Sequence, residues 1–149
     1  MRAVIQRVAH AQVQVGGETV GSVGTGLLVL LGVKRGDTCK DADYLAEKIV
    51  KLRVFEDENG KMNRSVRDVG GGILCVSQFT LLGDTRGQNR PGFTQAEEPE
   101  AANALYRRVC DRMGEAGVPV ERGVFRADMQ VTLCNDGPVT ILMDSEKLF

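Results

Sequence analysis

The hydrophobic and polar positions change period several times along the chain. Residues 2–8 and 12–15 are rich in Val, Ile and Gln and alternate in part, which predicts strands. Gly16-Gly17 between that run and residues 18–23 is a two-residue hairpin signal, with residues 18–23 as the returning strand. Gly24-Thr25-Gly26 punctuates, and residues 27–33 form an apolar run without alternation, as in a strand buried on both faces. Over residues 38–52 the period lengthens. Ala42, Leu45, Ala46, Ile49 and Leu52 recur at three- and four-residue spacing, one face of a helix, with Asp37 or Thr38 as its N-cap.

Residues 53–55 leave that helix as a short strand, and Asp57-Glu58-Asn59-Gly60 is a turn. A triple glycine, residues 70–72, precedes the buried strand Ile73-Leu74-Cys75-Val76, which runs into Ser77. Residues 82–95 are polar and glycine-rich, a loop long enough to expect either function or disorder. Pro99 suits a first helical turn. Ala102, Leu105, Tyr106, Val109 and Met113 then make a second apolar stripe that Gly114 or Gly117 ends. Met129, Val131 and Leu133 alternate with Gln130, Thr132 and Cys134, a strand with one buried face. Asn135-Asp136-Gly137 reads as a turn, and residues 138–143 as the last strand. With two amphipathic helices among many strands and no βαβ alternation, the pattern predicts an α+β fold with an antiparallel or mixed sheet.

Composition narrows the class. The 149 residues suit one domain, residues 1–149, able to bury roughly 68–70% of the unfolded chain's surface. The net charge of −1 supplies no global attraction to nucleic acid or an anionic membrane, so an RNA contact needs a local basic patch. The longest apolar run is too short to span a bilayer, and the N-terminus has charges on both sides of its apolar residues, unlike a signal peptide. Cys39, Cys75, Cys110 and Cys134 are irregularly spaced with no C-x-x-C, which reads as four reduced thiols, all buried, in a cytoplasmic protein. One histidine is too few for a familiar zinc site, so neither metal nor cofactor is expected.

The familiar catalytic sets are missing. The only histidine, His10, falls in a predicted strand turn and reads as structural, and no G-x-S-x-G elbow or Walker loop is present. Catalysis in this chain would have to rest on backbone groups and positioning. Two stretches supply them. A strand ending at Ser77 frees the amides of Gln78, Phe79 and Thr80, which can face a developing oxyanion, while Gln78 can bond a substrate and Phe79 form an apolar wall. The same residues also read as a polar turn above a core containing Phe79 and Leu81. At Gly137-Pro138, glycine permits close approach to a ligand and proline fixes the backbone, although the step equally suits the start of an edge strand.

Together these residues resemble the D-aminoacyl-tRNA deacylase family over the whole chain. The resemblance rests on Met1-Arg2-Ala3-Val4-Ile5-Gln6-Arg7-Val8 and Gly26-Leu27-Leu28-Val29-Leu30-Leu31-Gly32-Val33. It rests also on Ser77-Gln78-Phe79-Thr80-Leu81, Gly83-Asp84-Thr85-Arg86, Asn89-Arg90-Pro91 and Asn135-Asp136-Gly137-Pro138-Val139-Thr140. One departure is Gly92-Phe93, where the family pattern has Ser-Phe. The resemblance implies a barrel-like sheet and a carboxylic ester hydrolase that releases D-amino acids, and glycine, from the 3′ end of tRNA without a cofactor. It implies catalytic positions at Ser77, Gln78, Phe79 and Thr80, with the ribose 2′-hydroxyl helping to place the water. It also implies a homodimer in which a cis Gly137-Pro138 step enters the partner's pocket and excludes L residues. The partner is then the aminoacyl-tRNA 3′ end, with no DNA and no membrane. Lys48, Lys51, Arg53, Lys61, Arg64, Arg67, Arg86 and Arg90 are candidates for its phosphates, or simply a solvated surface. Two rival readings are a non-catalytic tRNA-end binding module and a Ser- or Cys-dependent hydrolase that brings His10 to Ser77 or to a cysteine.

Overall fold

A computed structural model describes residues 1–149. The predicted pair of N-terminal strands is one long strand, β1 (Arg2–Val15), so His10 lies within a strand and not at a turn. The Gly16-Gly17 hairpin leads into β2 (Glu18–Val23), and both glycines take the positive φ that a tight turn needs, 57° and 83°. β3 (Gly26–Gly32) follows, then α1 (Cys39–Lys51), the small β4 (Phe55–Glu56) and β5 (Met62–Arg64) hairpin, and β6 (Gly72–Ser77). A one-turn 3₁₀ helix (Phe79–Leu82), α2 (Pro99–Glu115), β7 (Val120–Arg122) and β8 (Gln130–Asp144) complete the chain.

Thr38, not Asp37, caps α1. Its hydroxyl accepts from the Lys40 amide, and Asp41 returns a bond to the Thr38 amide at 2.8 Å, the reciprocal pattern of a capping box. Pro99 begins α2 as expected, and Ala116 caps its end with Gly117 following at φ 90°. The two helices are tied by Arg108, whose guanidinium grips Asp43 at 2.8 and 2.9 Å.

The sheet runs β2-β1-β3-β6-β7, with β8 along the other edge of β1. β1 is antiparallel to β2, β3 and β8, but β3 and β6 are parallel, as are β6 and β7. The expectation of no βαβ alternation is therefore corrected. β3-α1-β6 and β6-α2-β7 are both parallel crossovers, hidden in the sequence by the β4–β5 hairpin and the long loop that interrupt them. The sheet is mixed, as predicted, and it curls toward closure. At Gly21 of β2 a Cβ would stand 2.6 Å from the Arg122 carbonyl of β7, so the two ends of the sheet approach where a side chain cannot fit.

The curl explains the apolar run in β3. Leu27, Val29 and Leu31 join Ile73 and Cys75 in the core beneath the helices, with Leu45, Ile49, Val109 and Met113. Leu28, Leu74 and Val76 point to the opposite face, where Val8, Ala11 and Val13 cover them. Both faces are dry, so alternation disappears. No helix is long and apolar enough to cross a membrane.

Candidate active site

β3 and β6 run parallel and end side by side, with Leu31 paired to Ser77. Ligands commonly bind beyond the carboxyl ends of parallel strands, where chains diverge and leave backbone groups unpaired. Here a cavity of about 450 Å³ opens at that end. Ser77, Gln78, Phe79 and Thr80 all line it. The N-terminal half of α2 supplies Ala102 and Tyr106, and the β7–β8 connection supplies Phe125 and Arg126.

Backbone bonding distinguishes the four motif residues. The Gln78 amide is already used, donating to the Leu31 carbonyl at 2.8 Å, so it is not the free donor the sequence offered. Phe79 and Thr80 begin the 3₁₀ helix, where first-turn amides have no intrahelical acceptor. The Gln78 side chain donates to the Thr80 hydroxyl at 3.0 Å, which steadies both. Phe79 is 58% exposed and is therefore wall, not core, held edge-to-face against Phe93 with ring centroids 5.0 Å apart. The long loop that carries Phe93 is ordered by a two-way backbone pairing of Asp84 with Gly92 at 2.8 and 2.9 Å. A Cβ at Gly92 would meet only ordinary contacts, so the glycine in place of serine leaves this pairing untouched.

Gly137-Pro138 lies elsewhere on the molecule. The peptide bond is cis, Gly137 has φ 138°, and both residues are exposed. β8 is a single strand that bulges here: Gln6 pairs with Thr140 and Val8 with Asn135, leaving residues 136–139 against Arg7. Arg7, almost wholly buried, holds the bulge by donating to the Asp136 carbonyl at 3.0 Å and to the Val54 carbonyl at 2.7 Å. Asn135 accepts from the Val139 amide at 3.0 Å and closes the loop from within. A Cβ on Gly137 would lie 2.7 Å from the Val139 side chain and 3.2 Å from the Arg7 guanidinium.

Register gives the separation of the two motifs. Ser77 pairs with Leu31, Leu31 with Ala3, and the bulge sits at Arg7, on the strand beyond β1. That is roughly 13 Å along the strands and about 14 Å across them. Neither Gly137 nor Pro138 lines this cavity.

The alternative nucleophiles are poorly placed. Cys75 and Cys110 are buried, as expected, but Cys39 and Cys134 are exposed, and all four are free. The Cys75 thiol is held well above its usual range by its hydrogen bond to Cys110 and by burial, so it stays protonated. Tyr106, expected as core, is buried and donates to the Cys75 carbonyl at 2.7 Å, yet its ring also lines the cavity; burial pushes its hydroxyl far above the ordinary range. His10 pairs across the ladder with Cys134, both exposed and without a hydrogen bond between them, seven residues along β1 from the level of Ser77. No three His, Cys, Asp or Glu side chains converge on a metal position.

The basic candidates divide. Arg86 forms two bonds to Asp84 at 2.9 and 2.7 Å, and these hold the Asp84 carboxyl down to about 2. Lys51 and Arg64 also pair with carboxylates, whereas Arg90 has no ion pair. Sequence reasoning missed Arg7, Phe93 and Arg126. An arginine at a core-facing position of an alternating strand was a signal for Arg7; nothing in the local pattern marked the other two.

The fold and cavity define a small α+β protein with a pocket made from strand ends, first-turn amides and an aromatic wall. Residues 4–144 match the model of the D-Tyr-tRNA(Tyr) deacylase family. The chain is 64% identical to the D-aminoacyl-tRNA deacylase of Anaeromyxobacter dehalogenans (strain 2CP-C) and 60% identical to that of Symbiobacterium thermophilum, covering 100% of this chain in each and 100% and 99% of the relatives. Among solved structures it resembles a c-Myc DNA unwinding element binding protein, with TM-score 0.91 and 44% identity over 97% of this chain and 98% of the other. The fold is shared too with a probable eukaryotic D-amino acid tRNA deacylase, with TM-score 0.78 and 18% identity over 95% of this chain and 97% of the other. This chain belongs to the D-Tyr-tRNA(Tyr) deacylase family.

Proposed function

We propose that the protein hydrolyses the ester of D-aminoacyl-tRNA, releasing tRNA and the D-amino acid, and that it also clears glycine mischarged on tRNA(Ala). The observation that carries this reading, beside the family, is the convergence of Ser77, Gln78, Phe79 and Thr80 on one cavity. Water attacks the ester carbonyl, and the amides of Phe79 and Thr80 hold the oxyanion, each commonly worth roughly 3–4 kcal/mol. The C–O bond to the ribose breaks, the 3′-oxygen takes a proton, and the neighbouring 2′-hydroxyl orients the water. Phe79 supports the substrate with its exposed ring, and Gln78 with the amide oxygen left free by its bond to Thr80.

Gly137 and Pro138 act as the chirality gate, and they act in the partner's pocket. Supporting this is their exposure, their rigid setting on Arg7 and Asn135, and their distance from the cavity of their own subunit. The active unit is then a homodimer with the site at the subunit interface. Backbone carbonyls of the gate take the α-amino group, and the space beside them admits hydrogen but not an L side chain. Selection by steric exclusion leaves the D side chain unread, so many D residues, and glycine, are substrates. A cytoplasmic location suits both the tRNA substrate and four free thiols.

The test is hydrolysis of D-tyrosyl-tRNA, L-tyrosyl-tRNA and glycyl-tRNA by the pure protein. Loss of the D and glycyl esters with the L ester intact is expected. Loss of all three would keep hydrolysis and remove the gate, and binding without loss would favour a non-catalytic tRNA-end module. Specific activity should fall on dilution in step with dissociation of the dimer; a fully active monomer would sink the shared site. Duplex DNA is not expected to bind, since the net charge is −1 and most arginines are paired with carboxylates or carbonyls.

A further inference from the structure

The β7–β8 connection contains a tight turn over residues 124–127, closed by the Ala127 amide on the Val124 carbonyl at 3.1 Å. Arg126 is its third residue, with φ 67°, and it is one of two non-glycine residues in the molecule with a left-handed backbone. Glycine is the ordinary occupant of that position, because any Cβ there crowds the backbone. The fold gains nothing visible in return. Arg126 is exposed, and its guanidinium has no ion pair and no hydrogen bond to the protein, whereas Arg2, Arg35 and Arg86 are each held by a carboxylate.

Its position is what matters. Arg126 is the one cationic side chain among the 15 residues that line the cavity, a set that includes Phe79 and Thr80. The one carboxylate there, Glu97, is turned to the backbone, accepting from the amides of Glu98 at 2.8 Å and Gly36 at 3.4 Å. A free guanidinium at the rim of a pocket is set to take an anion with two parallel bonds.

Resting on the deacylase reading, the chemistry of the substrate names that anion. The α-amino group is cationic, and the ester, ribose and adenine are neutral. The phosphodiesters of the 3′ strand are the only negative groups that every substrate, whatever its side chain, brings near the reacting ester. We propose that Arg126 binds a phosphodiester next to the terminal adenosine and so registers the tRNA end in the pocket. It is a positioning residue: phosphate contacts fix register and affinity without entering the chemistry.

The experiment compares two substrates that share the ester, D-tyrosyl-tRNA and 2′(3′)-O-D-tyrosyl-adenosine, which has no phosphate. Arg126→Gly removes the guanidinium and suits the left-handed backbone, so its Tm should equal or exceed that of the unaltered protein. The ratio of kcat/KM for the tRNA to that for the adenosine ester should fall at least about fivefold, through KM. Arg126→Lys, which keeps the charge without the fork, should restore part of it. For uncharged tRNA, the slope of log Kd against log salt should lessen by about 0.7, the value of one phosphate on a single strand. An unchanged ratio, or equal losses on both esters, overturns the assignment. Failure of the unaltered protein to hydrolyse either ester would sink the deacylase reading instead, and an unchanged salt slope would then overturn the phosphate contact on its own.

Discussion

The strand end at residues 77–82 and the bulge at residues 136–139 solve opposite problems. The first stands on β6, whose residues 73–76 are buried on both faces, so its position is fixed from below by apolar packing. Its useful groups are amides left over where a strand stops. The second has an exposed tip, Asp136 to Pro138, with only Val139 reaching the core, and the tip is held by polar side chains, Arg7 beneath it and Asn135 within it. One motif has a cavity and no gate; the other has a rigid tip and no cavity. In the proposed dimer each chain carries halves of two different sites, and rigidity by packing and rigidity by hydrogen bonding should fail differently under mutation.

The largest effect is expected at Gly137. Its φ of 138° is a conformation L residues rarely adopt, and a Cβ would meet the Val139 side chain at 2.7 Å and its amide nitrogen at 3.0 Å. Gly137→Ala must displace the bulge, so the ratio of D- to L-tyrosyl-tRNA hydrolysis should fall at least about tenfold. An unaltered D/L ratio would remove the gate from these residues. Arg7→Ala comes next. It leaves the Val54 carbonyl without its donor and the Asp136 carbonyl loose, at a cost of about 1–3 kcal/mol for the buried acceptor. The 3.6 Å ion pair to Asp136 adds little, since that carboxylate is largely exposed. Chemical denaturation should show the loss of stability. D/L selectivity should drop more than turnover of the D ester; the reverse order would mean that Arg7 supports the pocket and not the gate.

This contrast also marks what could be read from the chain. The first motif was legible because its setting is local: Ile73-Leu74-Cys75-Val76 announces a buried strand, and its end predicts unpaired amides. Only the Gln78 amide was misjudged, since its partner, the Leu31 carbonyl, comes from a parallel strand 47 positions earlier and no local pattern shows it. Both helices and the β1–β2 hairpin were legible for the same reason of period and turn chemistry. The parallel pairing of β3 with β6 was not, because strand direction is decided by crossovers. The second motif was legible as residues but not as geometry. Its shape depends on Arg7, which lies 129 positions from the Asp136 carbonyl it holds.

Thr80→Ala sharpens the role of the first motif. The Thr80 hydroxyl accepts from the Gln78 side chain and keeps its own proton to donate, but the proposed mechanism assigns the oxyanion to the first-turn amide, which alanine retains. Turnover of D-tyrosyl-tRNA should therefore stay within about threefold of the unaltered protein, well short of the hundredfold or more that follows loss of an oxyanion donor. A loss of that larger size would assign the hydroxyl itself to the reaction. The effect belongs in kcat; a change confined to KM would place Thr80 in binding only.

The smallest effect is expected at His10, and its smallness is informative. A serine- or cysteine-dependent hydrolase needs a base within hydrogen-bond reach of its nucleophile. Along β1, His10 is seven residues from Ala3, the residue level with Leu31 and Ser77, a separation of roughly 23 Å at strand spacing. Its ladder neighbour Cys134 is the only cysteine it can approach, and that pair faces solvent away from the cavity. His10→Ala and Cys134→Ser should each leave turnover of the D ester unchanged, and the pH profile of kcat should show no step near the ordinary imidazole range, about 6.5. Loss of activity in both variants would replace the backbone-driven mechanism with a dyad on the β1–β8 ladder. It would also move the reaction to the same ladder as the bulge, and so abolish the division of labour between the two motifs.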